Sequence, residues 1–220
     1  MLMSVEKCGE YSVLMSVYYK EKPAYLKQAI ESIQAQTLPT DDFVLICDGP
    51  LVTELDAVIA VKQREMGAAL KVVRLAKNGG LGSALNEGIM HCRNELIARM
   101  DSDDVAYPTR CEKQIAVFNT HSEVSICSGI VEEFTTDPNT VDTKRVLPET
   151  NAEIVEFAKK RNPFNHPCVM YKKSAVEAVG SYQDFYLLED YYLWLRMLMA
   201  GYQGYNIQEP LLHMRAGSDM

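Results

Sequence analysis

Four short apolar runs limit what this chain can fold into. Tyr11 to Val17, Phe43 to Cys47, Lys71 to Leu75 and Leu96 to Met100 are dominated by large aliphatic and aromatic residues. Between them lie segments with apolar residues at helical spacing: Pro23 to Gln36, Thr53 to Met66 and Ser83 to Cys92. A sheet with one wet face shows strict alternation, whereas near-continuous apolar strands are buried on both faces. Strands and helices alternating in this way predict an α/β fold, a mostly parallel sheet flanked by helices on both faces. Pro23 suits a first helical turn, which needs no amide donor. Asp48-Gly49-Pro50 and Asn78-Gly79-Gly80-Leu81-Gly82 follow the second and third strands as turns.

The second half is less regular. A helix is expected over Pro108 to Phe118, a strand over Val124 to Ile130, and a polar, threonine-rich excursion over Glu132 to Leu147. Asn151 to Lys160 reads as a helix, Asn162 to Pro167 as a loop and Cys168 to Tyr171 as a strand. Lys173 to Val179 is a short helix closed by Gly180. Glu189 to Ala200 is amphipathic, with Leu193, Trp194, Met197 and Leu198 inward. No further element is evident, and the sequence stops soon after Arg215-Ala216-Gly217, so a missing C-terminal tail is expected. The 220 residues suit one domain with a sizeable core.

With 30 acidic and 22 basic residues the formal net charge is −8, the opposite of a nucleic-acid binder. An anionic substrate would therefore need a local cation. Cys8, Cys47, Cys92, Cys111, Cys127 and Cys168 form no CxxC pair and no metal-ligand spacing. Several lie in apolar runs, where a free thiol acts as a small hydrophobe, which fits a reducing, cytoplasmic setting. No signal peptide or membrane-spanning run is present in the sequence.

Ligands of open parallel sheets bind beyond the carboxyl ends of the strands. Asp101, Asp103 and Asp104 crowd such an end, and like charges packed there are costly without a cation or donors to share the site. Mg²⁺ takes one or two carboxylates together with phosphate oxygens, so Asp101 and Asp103 suit a metal-bound diphosphate. An EF-hand is excluded, because Val105 and Ala106 stand where its loop needs a ligand and a glycine. Asp48-Gly49 alone reads as a turn. Glu189 and Asp190 open a helix, where a carboxylate is favoured as a cap or by the dipole. His166 and His213 are isolated, and Trp194 with its neighbouring methionines reads as core.

Several segments together resemble a known family. They are Val13 to Tyr18, Cys47-Asp48-Gly49, Asn78 to Gly82 with Asn86-Glu87-Gly88, Ala98 to Asp104, Asn165-His166-Pro167 and Glu189 to Arg196. In this order they are similar to the family 2 glycosyltransferases of GT-A fold from bacterial polysaccharide biosynthesis, over Tyr11 to Arg215. The resemblance implies a nucleotide-sugar-binding half at 11–107 and an acceptor-binding half at 108–220. It implies that Ser16, Tyr18 and Asp48 hold the base and ribose of a nucleoside diphosphate sugar, a UDP-sugar being favoured. Asp101 and Asp103 match the DXD motif, with Asp103 the direct ligand of Mn²⁺ or Mg²⁺ and Asp101 nearer the ribose or sugar. Arg215 is implied at the diphosphate, Asp190 as the general base of an inverting transfer, and His166 and Glu189 on the acceptor side.

The implied acceptor is a glycan or lipid-linked oligosaccharide, which would bring the protein peripherally to the inner face of the cytoplasmic membrane. Leu85 stands where many relatives carry an arginine, and Ser16 replaces a common proline. Three other readings compete. Asp101-Ser102-Asp103-Asp104-Val105 fits the nucleophile motif of haloacid dehalogenase phosphohydrolases, but that motif normally follows a first strand. Gly80-Leu81-Gly82 is too weak for a dinucleotide module, since Leu85 replaces its third small residue. A non-catalytic sugar-nucleotide-binding protein would retain binding while lacking a working Asp190.

Overall fold

The computed structural model describes residues 10–185 and 187–216. Cys8 and Gly217 lie outside these. The core is a nine-stranded sheet ordered β3-β2-β1-β4-β8-β6-β9-β5, with β7 paired to β6. Its first strands are β1 (Tyr11–Val17), β2 (Phe43–Cys47), β3 (Leu70–Arg74) and β4 (Leu96–Asp101), all parallel to one another. Helices α1 (Pro23–Gln34), α2 (Thr53–Met66) and α3 (Leu81–His91) make the crossovers.

Side-chain alternation explains the continuous apolar runs. Val13, Met15, Phe43, Leu45, Ala98 and Met100 enter one buried layer with Leu26 and Ile30 of α1 and Ile59 of α2. Leu14, Val44, Ile46 and Ile97 enter the opposite layer with Leu85 and Ile89 of α3. Gly88 lets α3 settle on β1, since a Cβ there would lie 2.2 Å from a Leu14 methyl.

Beyond β4 the sheet becomes mixed. Its remaining strands are β5 (Val105–Ala106), β6 (Val124–Phe134), β7 (Thr143–Arg145), β8 (Met170–Lys172) and β9 (Gln203–Arg215). β8 enters antiparallel to β4 and β6, while β6 and β9 run parallel. The helices of this half are α4 (Arg110–Thr120), α5 (Asn151–Ala158), α6 (Lys173–Ala178) and α7 (Glu189–Met199). α7 closes the second layer with Leu193, Trp194 and Met197.

Three differences from the sequence reading have local causes. β6 continues past Ile130 because its hairpin partner β7 neutralises it: Lys144 pairs with Glu132 at 2.7 Å, and Arg145 pairs with Glu133. The strand after the 162–167 loop starts at Met170, since His166–Cys168 coils as a 3-10 turn. The thirteen residues of β9 form a strand despite Pro210, because irregularities in the β6 ladder near Gly129 and Ile130 accommodate it. Cys47, Cys92, Cys111, Cys127 and Cys168 are free and buried, as expected, and burial raises the thiols of Cys47 and Cys168 to about 11 and that of Cys92 to about 12.

Candidate active site

A cleft of about 650 Å³ opens at the carboxyl ends of β1, β2 and β4. Ser16, Tyr18, Asp48, Asp101, Asp103 and Arg215 all line it. Ser16 and Asp101 are register partners on β1 and β4, so strand pairing alone places them side by side. Asp48 follows β2, and its oxygens accept from Gly79 N at 2.8 Å and Gly80 N at 3.1 Å. That carboxylate occupies the amides a phosphate would need, so the glycine turn is not a free phosphate cradle. Gly49 is obligatory here: its φ is +88°, and a Cβ would stand 2.6 Å from Asn78 N.

The acidic strand end is sorted by its neighbours. Arg99 donates two bonds to the Asp101 carboxylate, one of them at 2.8 Å. Asp104 is 1% exposed, and its Oδ1 accepts from Arg215 N at 2.9 Å. Burial, then Asp101 and Asp103, hold its carboxyl well above the usual range, and Asp104 serves to anchor the end of β9. For Asp103, burial, then Asp101 and Glu21, raise the carboxyl to about 7.

Arg215 is packed rather than free. Its guanidinium lies 3.6 Å from the Tyr25 ring centre and 4.5 Å from that of Phe134, while Nε donates to the Asp103 carbonyl at 3.1 Å. It thereby fixes the turn that carries Asp103. Glu21 accepts from Ser102 Oγ at 2.5 Å, adding a carboxylate to the cleft that the sequence reading did not single out. Tyr25 and Thr135 also line it unforeseen, while Asn78 belongs to the glycine turn expected at this end of the sheet; a position just beyond a strand's carboxyl end is the available signal for Glu21.

Asp190, His166 and Glu189 do not line this cleft; they form an adjoining cluster. Asp190 opens α7 but does not cap it: the N-cap is Leu188, and Asp190 Oδ2 accepts from Asn162 Nδ2 at 2.7 Å. His166 Nδ1 lies 3.9 Å from the same oxygen, and its Nε2 is 3.0 Å from the Tyr182 hydroxyl. Burial first, and then the Arg99 charge, hold His166 well below the ordinary imidazole range, so it is neutral. Tyr182 is pinned to α3, exchanging bonds of 2.8 and 2.9 Å with the Asn86 amide. Glu189 leans on the start of α3, where a Cβ on Gly82 would stand 3.6 Å from its side chain. Leu85 is fully buried in the core, so no side chain reaches the cleft from that position.

Both the sheet order and this strand-end cleft define a GT-A type glycosyltransferase. The family described as glycosyl transferase family 2 matches residues 12–180, and the chain belongs to it. The amylovoran biosynthesis glycosyltransferase AmsE of Erwinia amylovora is 44% identical, covering 96% of this chain and 77% of its own length. The UDP-Gal:alpha-D-GlcNAc-diphosphoundecaprenol beta-1,3-galactosyltransferase of Escherichia coli is 40% identical, covering 94% and 74%. Among solved structures, S. aureus TarS 1-349 in complex with UDP-GlcNAc aligns with a TM-score of 0.73 at 16% identity, over 96% of this chain and 60% of that one. The mannosyltransferase PcManGT of Pyrobaculum calidifontis, in complex with GDP-Man and Mn²⁺, aligns with a TM-score of 0.72 at 13% identity, over 97% and 59%. The chain thus spans about 60% of the length of these solved relatives. No helix of the described residues is long and apolar enough to cross a membrane.

Proposed function

We propose that this glycosyltransferase moves a hexosyl group from a nucleoside diphosphate sugar to an acceptor hydroxyl, with inversion at the anomeric carbon. The observation that carries this reading is the division of carboxylates between two adjoining places. Asp101 and Asp103 face the cleft, while Asp190 stands in a separate cluster beside it.

Ser16, Tyr18 and Asp48 take the base and ribose. Both Asp48 oxygens keep a lone pair beyond their bonds to Gly79 and Gly80, sufficient for a base imide N–H. Asp103, with Asp101 beside it, would hold Mn²⁺ or Mg²⁺. Burial first, and then the charges of Asp101 and Glu21, push Asp103 up to about 7; a bound divalent ion would offset that cost of ionising it, and the oxygen donor set suits such an ion. When bound, the ion offsets the charge developing on the departing diphosphate. Arg215 holds the Asp103 turn and lends positive charge to the same wall.

Asp190 takes the proton of the acceptor hydroxyl. The acceptor oxygen forms its bond to the anomeric carbon as the bond to the diphosphate oxygen breaks, and that electron pair leaves with the nucleoside diphosphate. Neutral His166 matters here, because an imidazolium at this position would pair with Asp190 and weaken it as a base. A positioned base of this kind contributes about 10²- to 10⁴-fold. His166 and Glu189 face the acceptor. Residues 11–107 act as the donor half and 108–220 as the acceptor half, with Thr135 and Arg215 lent back to the donor cleft.

A UDP-sugar is the favoured donor and a lipid-linked glycan of a surface polysaccharide the favoured acceptor. The support is the names of the relatives, one of which specifies UDP-Gal and a diphosphoundecaprenol acceptor. An acceptor of that kind places the enzyme at the inner face of the cytoplasmic membrane.

Thermal unfolding with UDP, GDP or dTDP, each with Mn²⁺, tests the donor site. A nucleotide at 100 times its Kd stabilises the fold by about 2.7 kcal/mol, and a chelator should remove most of that gain. If none of the three stabilises the protein, the reading fails.

A further inference from the structure

We propose that Arg99 is a positioning residue that divides the work of the two cleft aspartates, clamping Asp101 as a hydroxyl acceptor for the donor and leaving Asp103 to the cation. This rests on the donor-site reading above.

Arg99 is a buried cation set in an otherwise apolar layer. It lies on β4 between Ile97 and Asp101, is 1% exposed, and projects with Ile97 into the apolar layer that holds Leu14 and Trp194. A guanidinium there is costly unless paired, and an apolar residue of similar volume commonly does as well or better for stability. Its pairing is confined to one group. Both terminal nitrogens go to the two Asp101 oxygens, and Nε has no partner. The backbone is braced as well, because fully buried Arg110 donates to the Arg99 carbonyl at 2.6 Å.

The pairing is unequal across the acidic strand end. Asp101 is clamped from behind by a planar fork, yet its side chain stays 35% exposed toward the cleft. Its charge is already matched, which makes it a weak metal ligand. Its outward lone pairs are held in a fixed direction, which suits hydroxyl recognition. Among the described residues no cationic side chain hydrogen-bonds the Asp103 carboxylate. Two aspartates of the same type, two positions apart, are thus given different chemistry by one buried cation.

The test uses the whole chain carrying Arg99→Met or Arg99→Lys, with Mn²⁺ titrated calorimetrically in saturating UDP and donor hydrolysis measured alongside. Removing one positive charge beside Asp101 should tighten Mn²⁺ binding by about tenfold in Arg99→Met. The donor KM should rise by about tenfold as Asp101 loses its fixed direction. Arg99→Lys keeps the charge and loses the fork, so KM rises while Mn²⁺ affinity stays near that of the wild type; it also carries the test if the methionine variant does not fold. A merely structural arginine would not tighten metal binding on removal. Mn²⁺ affinity at or below the wild-type value in Arg99→Met, or an unchanged KM in Arg99→Lys, overturns the proposal. A wild-type protein that binds no Mn²⁺ with UDP overturns the donor-site reading itself, and this proposal with it.

Discussion

The Asn162 amide donates to the Asp190 carboxylate at 2.7 Å, tying the first turn of α7 to the loop that follows α5. The bond aims a carboxylate that would otherwise rotate freely at the start of a helix. With Asp190 as the proposed base, Asn162→Ala should lower kcat by about tenfold, since small misplacements of a reacting group are costly. The donor KM should hardly move, because Asn162 does not line the donor cleft. Steady-state kinetics with donor and acceptor varied separately separates the two effects.

Two histidines set a pH dependence of stability. His166 is held well below the ordinary range by burial and then by Arg99; His213 is lowered by burial, with Glu132 pulling the other way. A group whose folded pKa lies below its unfolded value of about 6.5 binds more protons when unfolded. The histidine contribution is therefore full above about pH 6.5 and falls as the pH drops toward the folded values, by about 1.4 kcal/mol per unit for each histidine. Asp103 and Asp104, whose carboxyls are raised, contribute with the opposite sign over the same range, so the histidine share is read from the difference between wild type and His213→Gln in urea denaturation from about pH 8 to pH 5. Wild type should lose more stability than the variant as the pH falls; parallel curves would speak against a lowered His213.

Gly49 and Gly80 both have positive φ, +88° and +84°, but only Gly49 is crowded. With φ +84° and ψ 163°, Gly80 lies in a region that glycine alone adopts readily, so Gly80→Ala carries backbone strain alone, about 1 to 3 kcal/mol. Gly49→Ala adds a clash with the Asn78 backbone, so its denaturation midpoint should fall further. It should also weaken nucleotide binding, because Asn78 and Asp48 share the cleft wall. Equal midpoints for the two variants would contradict the packing described.

Removing the Asp48 carboxylate should act on the glycine turn as well as on the donor. Asp48→Ala removes the acceptor of the Gly79 and Gly80 amides, which are exposed and pass to water, so the loss is about 0.5 to 1.5 kcal/mol. Asp48→Asn retains acceptors and should recover part of that stability. Nucleotide affinity measured on both variants separates support of the turn from contact with the base.

Much of this architecture is legible in the residues because both faces of β1, β2 and β4 are covered, which leaves an uninterrupted apolar run to read. The strands that escape notice lack that signature. All three residues of β7 are exposed, β5 has two residues, and β9 carries Glu209 and Pro210 through ladder irregularities. At the site, Ser16, Tyr18, Asp48, Asp101, Asp103 and Arg215 come together because they sit at or just beyond the carboxyl ends of strands. Asp190 and His166 gather elsewhere, through tertiary packing of loop 162–167 on α7. Tyr182, which joins His166 to α3, carries no local pattern that would reveal it. Arg99 stands in plain view before the acidic run, but its inward direction becomes evident only with the register of β4 on β1.

The most direct measurement compares wild type with Asp190→Ala, reading nucleotide binding and sugar transfer on the same samples. UDP with Mn²⁺ should raise the melting temperature equally in both, while transfer falls by about 10²- to 10⁴-fold in the variant. Transfer within a few-fold of wild type in Asp190→Ala, with binding intact, would contradict the assignment of Asp190 as the base.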